Sequence, residues 1–133
     1  MIETRVAFIS LIDDDILCIR FKPHCTVDID DFEENMQTYR KLLKTEKAYL
    51  LSIPDESSAM SLEVRNKFAS KERSSFKIAE AFVITSLGHK LIANFVMKVQ
   101  TPKHKIRFFS KEEEAMNWLK QVKNEMKKQN VQA

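Results

Sequence analysis

The segment that most constrains the fold of this chain runs from residue 78 to residue 119 (IAEAFVITSLGHKLIANFVMKVQTPKHKIRFFSKEEEAMNWL). Short runs rich in β-branched and aromatic residues alternate there with longer amphipathic runs, and polar capping residues stand at the joints. The pattern predicts strand, helix, strand and helix in succession, which is an α/β arrangement. It indicates architecture and not activity, because none of its residues is arranged as a nucleophile, a metal cage or a phosphate loop.

Two strands are predicted in this segment, at residues 80–84 and 105–109. Ser86 is the predicted N-cap of the helix between them, and that helix has an apolar stripe made of Leu87, Leu91, Ile92, Phe95, Val96 and Val99. Ser110 and Glu113 match a capping box at the start of the last helix. Its predicted buried stripe consists of Ala115, Trp118, Leu119, Val122 and Met126.

The first half of the chain predicts a β-hairpin, a helix and a buried strand. Residues 4–11 and 16–21 form the hairpin, and the acidic triplet at residues 13–15 acts as its turn. Asp28 or Asp30 caps a helix whose core-facing stripe consists of Ile29, Phe32, Met36, Tyr39, Leu42 and Leu43. A buried strand follows at residues 47–53.

A second helix is expected to start near Leu62, with Leu62, Phe68 and Ala69 on one face. The segment at residues 71–77 either prolongs this helix or forms a separate turn. Thr101 and Pro102 are expected to end the helix that precedes the strand at residues 105–109.

Length and composition predict one domain over all 133 residues, with the polar residues after about 127 frayed. The 44% of apolar residues is enough for a folded core, and no apolar run reaches the roughly 18 residues of a membrane span. The start of the chain carries an acid at Glu3 in place of the basic start of a signal peptide. These features predict a cytoplasmic protein without stable membrane insertion.

The chain has a single glycine, Gly88, and this argues against whole classes of chemistry. Dinucleotide-binding loops, P-loops and the GxSxG elbow of hydrolases each need several glycines. Cysteines and histidines at positions 18, 24, 25, 89 and 104 match no metal-ligand spacing, and the two thiols are expected to be buried or idle. We therefore expect no enzyme, no catalytic residues, no metal and no cofactor.

The formal charge of +3 is too mild and too evenly mixed for a nucleic-acid binder. A cluster of basic residues at positions 98–107 is the best candidate for an anionic contact, but the acids at positions 112–114 stand next to it and oppose the approach of phosphate. Inward-pointing Ile106 and Phe108 explain that strand more simply. Nucleic acid is not an expected partner.

Three motifs carry a resemblance to known proteins: residues 81–86 (AFVITS), residues 91–95 (LIANF) and the run from Phe108 to Leu119. Together with the order of predicted elements, they make the chain similar to small bacterial STAS and SEC14-related proteins with a SpoIIAA-like fold, in particular their uncharacterised branch. The resemblance covers nearly the whole chain. It implies a single-domain α/β fold, a mixed β-sheet of about five strands with about four helices.

The resemblance also implies a candidate site. In anti-sigma-factor antagonists of this fold, a serine at a helix start is phosphorylated, and the comparable loop here contains Ser57, Ser58 and Ser61. A partner or ligand surface would lie beside it, formed by Leu62, His89, Leu91, Asn94 and Phe95. Three of these residues also have simpler structural explanations. Ser61 is then an ordinary N-cap, Asn94 is a hydrogen-bond partner of a neighbouring loop, and His89 is an exposed residue.

Two functions follow from the resemblance. The first is a non-catalytic regulatory or protein-binding domain, which docks on a protein partner through the surface just described. The alternative is a small-ligand or lipid-binding module, with an apolar pocket between the sheet and the helix after residue 86, lined by Leu91, Phe95 and Met97. A homodimer is compatible with either function.

Overall fold

Eight strands are present in the structure, a computed structural model that describes residues 1–68, 76–99 and 104–132. They are β1 (Ile2–Glu3), β2 (Ala7–Asp13), β3 (Ile16–Phe21), β4 (Thr26–Val27), β5 (Ala48–Ile53), β6 (Ala59–Met60), β7 (Lys77–Val83) and β8 (Lys105–Phe109). Six of them form one mixed sheet in the order β1-β2-β3-β5-β7-β8, and β4 pairs with β6 in a separate two-stranded ribbon. The pairs β1–β2 and β2–β3 are antiparallel, whereas β3, β5, β7 and β8 are parallel.

The described residues contain the helices α1 (Ile29–Leu42), α2 (Leu62–Phe68), α3 (Leu87–Val99) and α4 (Glu112–Gln132). Successive parallel strands step across the sheet in one direction, and such crossovers are right-handed, so the connecting helices α1, α2 and α3 share one face. Helix α4 follows the last strand and packs on β5, β7 and β8. The sheet therefore separates two apolar cores.

The core on the face of α1 and α2 contains the larger cluster of buried side chains: Val6, Ala7, Ile9, Leu17, Ile19, Val27, Phe32, Met36, Tyr39, Ala48, Leu50 and Val64. The core on the face of α4 consists of Ile16, Cys18, Tyr49, Leu51, Ala79, Ala81, Ala115, Leu119 and Val122. Alternating residues of β5 supply both cores, because successive strand side chains point to opposite faces.

Helix α1 begins where the sequence predicts. Asp28 is its N-cap: the Asp28 carboxylate accepts a hydrogen bond from the backbone N–H of Asp31 at 3.1 Å, and the Asp31 carboxylate accepts one from the N–H of Asp28 at 3.0 Å. This reciprocal capping box satisfies two amides that would otherwise lack partners. The Asp31 carboxylate also accepts hydrogen bonds from the guanidinium of Arg5. These bonds connect the start of α1 to the loop between β1 and β2.

The α/β fold class is confirmed, as are the hairpin of β2 with β3, the strand β8 with its predicted bounds, and the buried stripe of α4. The sheet has six strands because the two-residue strand β1 joins its edge. Strand β7 begins at Lys77, three residues before the predicted start, and α4 begins at Glu112. The final helix continues to Gln132, while fraying of its end stays a prediction.

Three leucines of the apolar stripes predicted for α2 and α3 are exposed. Leu62 is 69% exposed, Leu87 73% and Leu91 63%, whereas Val64 and Ala93 are buried. The side chains of Phe68, Ile92, Phe95, Val96 and Val99 lie outside the described part of the structure. A periodic pattern identifies a helix but does not fix which arc of it meets a neighbour. The predictions for Ala69, for residues 71–75 and for Thr101 and Pro102 fall outside the described residues. None of the helices in the described part is long and apolar enough to cross a membrane.

Candidate functional site

A cavity of about 140 Å³ lies between the sheet and the helices α1, α2 and α3. Four strands contribute to its sheet wall, through Phe21, Ser52, Glu80, Phe82 and Phe108. Several of these residues stand near the carboxyl ends of the parallel strands. In open α/β sheets, ligands bind at that edge.

Helix α1 forms one wall of the cavity. Phe32, Asn35, Met36 and Tyr39 line it, and their spacing of i, i+3, i+4 and i+7 places them on one helical face. The opposite wall comes from His89 and Ala93 of α3 and from the segment around α2, with Ala59, Met60, Val64 and Arg65. Most lining side chains are apolar, so an apolar molecule matches this space.

Two phenylalanines form an aromatic part of the sheet wall. Phe82 of β7 and Phe108 of β8 are register partners, and their rings stack with centroids 5.4 Å apart. The predicted inward direction of Phe108 fits this position. The stacked pair presents a flat apolar surface that suits an aromatic or other planar molecule.

A buried polar cluster lies in the same wall, centred on Glu80. The Glu80 carboxylate receives Lys77 Nζ at 2.6 Å and His104 Nε2 at 3.2 Å on Oε1, and the Ser52 hydroxyl at 3.2 Å on Oε2. The side chains of Lys77 and Glu80 are completely buried. Burial of a charged pair is tolerated only when partners of this kind surround it.

His104 is buried beside the Glu80 carboxylate. An ionised carboxylate can only accept, so Nε2 carries the hydrogen that points at Glu80. The other ring nitrogen, Nδ1, is buried without a hydrogen-bond partner within the described residues. Of the cluster, Ser52 and Glu80 reach the cavity itself.

Asn35 is the second polar feature of the cavity. It lies in the middle of α1 and is 4% exposed, yet its Oδ1 has no hydrogen-bond partner in the part of the chain that the structure describes. Buried side-chain polar atoms are normally paired in folded proteins, so this oxygen is an unusual group to find beside an apolar space.

The loop after β5 meets the first turn of α3 at the cavity. His89 Nε2 donates a hydrogen bond to the carbonyl of Ser58 at 2.7 Å, and both residues line the space. Asp55 shapes the loop by accepting from the N–H of Ser57 at 3.0 Å and from its hydroxyl at 2.6 Å. These bonds from Ser57 lower the pKa of Asp55. The Ser57 hydroxyl also accepts from the N–H of His24 at 2.8 Å.

The structure brings some of the predicted site residues together and separates others. His89 bonds Ser58, and the preceding residue, Ser57, bonds Asp55 and His24. Ser61 caps α2, because its hydroxyl accepts from the N–H of Val64 at 3.2 Å. Leu62 and Asn94 are exposed and do not line the cavity.

The predicted pocket lining of Leu91, Phe95 and Met97 is wrong for Leu91. Leu91 is exposed and does not line the cavity. The side chains of Phe95 and Met97 lie outside the described part of the structure. Among the described side chains of α3, His89 and Ala93 line the cavity.

Asn35, Ser52 and Glu80 are missing from the site predicted from the sequence. A signal existed in two strands: a serine inside AYLLSI and a glutamate inside KIAEAFV are polar residues in otherwise apolar strands of a parallel sheet. Within the described residues, no group of three or more His, Cys, Asp or Glu side chains is placed to hold a metal ion.

Residues 10–123 match the model of a protein family described as a domain of unknown function, DUF7793. The chain belongs to the DUF7793 family. The match runs from β2 into α4 and so includes every element that lines the cavity. No protein with curated annotation matches this DUF7793 chain.

The DUF7793 chain has a SpoIIAA-like fold. It is similar to the crystal structure of an uncharacterised protein of the DUF3478 family with that fold, from Shewanella loihica PV-4. The TM-score is 0.58 at 15% sequence identity, and the alignment covers 90% of this chain and 98% of the other. This confirms the predicted fold, and at such low identity the likeness concerns the fold alone.

Proposed function

We propose that this DUF7793 protein is a binding protein, not an enzyme, and that it holds a small, largely apolar molecule in the cavity between the sheet and helices α1 to α3. The observation that carries the proposal is the cavity of about 140 Å³ itself. The space is partly open to solvent, which gives a small molecule a way in. An apolar cavity of about 150 Å³ in another protein stays dry and takes up benzene.

The position and lining of the cavity support this proposal. It lies near the carboxyl ends of parallel strands, where α/β folds place their ligands. The aromatic pair Phe82 and Phe108 offers an apolar surface, and the buried polar groups beside it are few. That combination is typical of small-molecule sites.

Native mass spectrometry of the protein purified gently from its own cells tests the proposal. We expect an added mass on the order of 100 Da that is lost on denaturation, because the cavity matches a benzene-sized molecule. Ala93 lines the cavity and is buried, so Ala93→Leu fills the space and should abolish the added mass. The neighbouring Asn94 is exposed, which makes Asn94→Leu the matched control with the added mass retained.

Toluene provides a second measurement if the natural ligand dissociates during purification. Met36 and Met60 line the cavity, so their methyl NMR signals should shift on addition of toluene to the wild type and not to Ala93→Leu. Absence of both the added mass and the methyl shifts in folded wild-type protein would overturn the proposal.

A second candidate function is docking of a protein partner, and the exposed leucines favour it. Leu62 and Leu87 open α2 and α3, Leu91 follows one turn later, and all three are more than half exposed. The contact between His89 and Ser58 joins the segments that precede and begin these helices. Phosphorylation would modulate such a surface through Ser57, the exposed serine of the loop.

Photo-crosslinking in cells from position 62 or 91 tests the docking function. The expected result is one crosslinked protein of constant mass, lost when Leu87→Glu is added. Phosphopeptide mapping of residues 55–61 tests the switch, and a loop that is never phosphorylated in fully covered spectra excludes it.

A further inference from the structure

We infer that the molecule in the cavity is a small carboxylate with a compact apolar body, and that Arg65 is the residue that binds its charged group. This inference rests on the proposed binding function and names the chemical class of the ligand. Benzoate is a simple member of that class.

Arg65 of α2 lines the cavity without an acidic partner. Arg5 and Arg20 are each paired with a carboxylate. Arg65 is partly buried, yet it forms no ion pair within the described residues, and its one hydrogen bond there runs from Nε to the carbonyl of Met60 at 3.3 Å. The N–H groups on the two terminal nitrogens of its guanidinium are therefore available to a molecule in the cavity.

The acid in the cavity wall does not neutralise Arg65. Glu80 is the one acidic side chain among the described residues that line the cavity. Its carboxylate already accepts from Lys77 and His104 on Oε1 and from Ser52 on Oε2. Because the charges of Lys77 and Glu80 cancel, the positive charge of Arg65 remains, and it attracts an anion into this partly dry space.

A carboxylate matches a single arginine in shape and in charge. The flat guanidinium presents N–H groups in a fork that can bind both oxygens of a carboxylate. Arg65 supplies one positive charge, which favours a singly charged carboxylate over a phosphate ester that carries nearly two. The rest of the molecule contacts apolar side chains, such as Val64 and Phe82, that favour a hydrocarbon body.

The position of Arg65 makes the binding of a charged group affordable. Arg65 is partly exposed, and the cavity is partly open to solvent. An ion that loses all of its water in a protein suffers a large desolvation penalty. A carboxylate beside Arg65 keeps part of its hydration while the apolar body is enclosed.

Benzoate and benzamide test the inference, because they have nearly the same size and shape and differ in charge. Their dissociation constants are measured by titration calorimetry at neutral pH for the wild type and for Arg65→Met. We expect tighter binding of benzoate than of benzamide by the wild type. The ratio Kd(benzamide)/Kd(benzoate) should fall about tenfold in Arg65→Met, since a charge-assisted hydrogen bond is lost. Arg65→Lys keeps the charge without the fork and should give an intermediate ratio.

Arg107→Met is the matched control. Arg107 is exposed in β8, has no ion pair within the described residues and does not line the cavity. Its replacement changes the net charge by the same amount and should leave the ratio unchanged. Benzamide checks the fold, because it should bind the wild type and Arg65→Met alike. Arg65→Gln repeats the test if the methionine variant does not fold.

The outcomes separate the inference from the binding function. If both probes bind and the ratio stays constant in the Arg65 variants, the carboxylate class is wrong and the binding function stands. Tighter binding of benzamide by the wild type also overturns the carboxylate class. An equal fall of the ratio in Arg107→Met would show attraction by overall charge without a contact at Arg65. If neither probe nor toluene binds the folded wild type, the binding function itself is wrong.

Discussion

Lys77 Nζ lies 2.6 Å from Glu80 Oε1, and both side chains are completely buried within one strand, β7. The pair forms part of the sheet wall behind the cavity, with His104 and Ser52 as further partners of the carboxylate. A charged side chain that is completely buried is tolerated only when a counterion and hydrogen bonds compensate for its lost hydration. The pair therefore governs both the stability of the fold and the shape of the candidate site.

Removal of one member of this pair should be far more damaging than removal of both. Lys77→Met leaves a buried carboxylate without its counterion and is expected to lower the free energy of unfolding by about 3 to 5 kcal/mol. The double variant Lys77→Met, Glu80→Met leaves no unpaired charge and should recover most of that loss. Urea unfolding followed by circular dichroism measures both. A double variant less stable than the single one would contradict this account.

The pair of Arg5 and Asp31 predicts a loss of stability in acid. The hydrogen bond from Arg5 is the main cause that holds the pKa of Asp31 below its ordinary value, with help from the N–H of Asp28. A carboxylate with a lowered pKa stabilises the fold fully above its unfolded pKa of about 3.9, and that contribution disappears as the pH falls through the folded pKa. Asp31→Asn should therefore melt at a lower temperature than the wild type at neutral pH.

The difference in melting temperature between wild type and Asp31→Asn should shrink as the pH falls below about 4. Thermal melts between about pH 2 and pH 7 measure it. Arg5→Gln is the companion variant, because it removes the partner and keeps the capping carboxylate. A constant difference across this range would show that Asp31 acts only as a capping residue.

Lys123 gives the opposite dependence on pH. Its hydrogen bond to Asp15 is the main cause that raises the pKa of Lys123, and the 2.6 Å contact ties α4 to the tip of the hairpin. A raised lysine pKa gives stability that is complete below the unfolded value of about 10.4 and is lost as the pH rises through the folded value. The acidic triplet of the hairpin therefore has a second role besides forming the turn, because it also anchors helix α4.

Lys123→Gln should lower the melting temperature at pH 7 and converge with the wild type as the pH rises through the folded-state pKa of Lys123. Lys127 lies one turn further along α4, is exposed and forms no ion pair within the described residues, so Lys127→Gln is the matched control and should change little. Equal effects of the two variants at pH 7 would show that the contact with Asp15 contributes nothing specific.

Features that depend on local interactions are predicted from the sequence, and features that depend on distant contacts are not. The start of α1 is predicted correctly because Asp28 and Asp31 cap it within one turn. The bounds of β8 follow from a short apolar run between polar residues. The exposure of Leu91 does not follow from the apolar stripe of α3, because it depends on how the helix meets distant elements.

The candidate site depends even more on distant contacts. Ser52 and Glu80 are 28 residues apart in the sequence and meet only because β5 and β7 are neighbours in the sheet. Asn35 appears in the sequence as one polar residue beside an amphipathic stripe, and its burial becomes evident only when α1 packs over the sheet. The topology places these residues around one cavity, and no local pattern encodes that arrangement.

The two cysteines should differ sharply in reactivity. Cys18 is buried in β3, and burial is the main cause that raises its pKa, whereas Cys25 is only partly buried in the loop before β4. The thiolate is the reactive form, and a buried thiol is modified only when the surrounding structure opens. Iodoacetamide should therefore label Cys25 first, with Cys18 at least about 100-fold slower in the native protein.

Peptide mass spectrometry over time gives both labelling rates, and the Cys25→Ser variant isolates the rate of Cys18. Addition of denaturant should make the two rates equal; comparable rates without denaturant would show that β3 opens far more readily than its central position in the sheet implies.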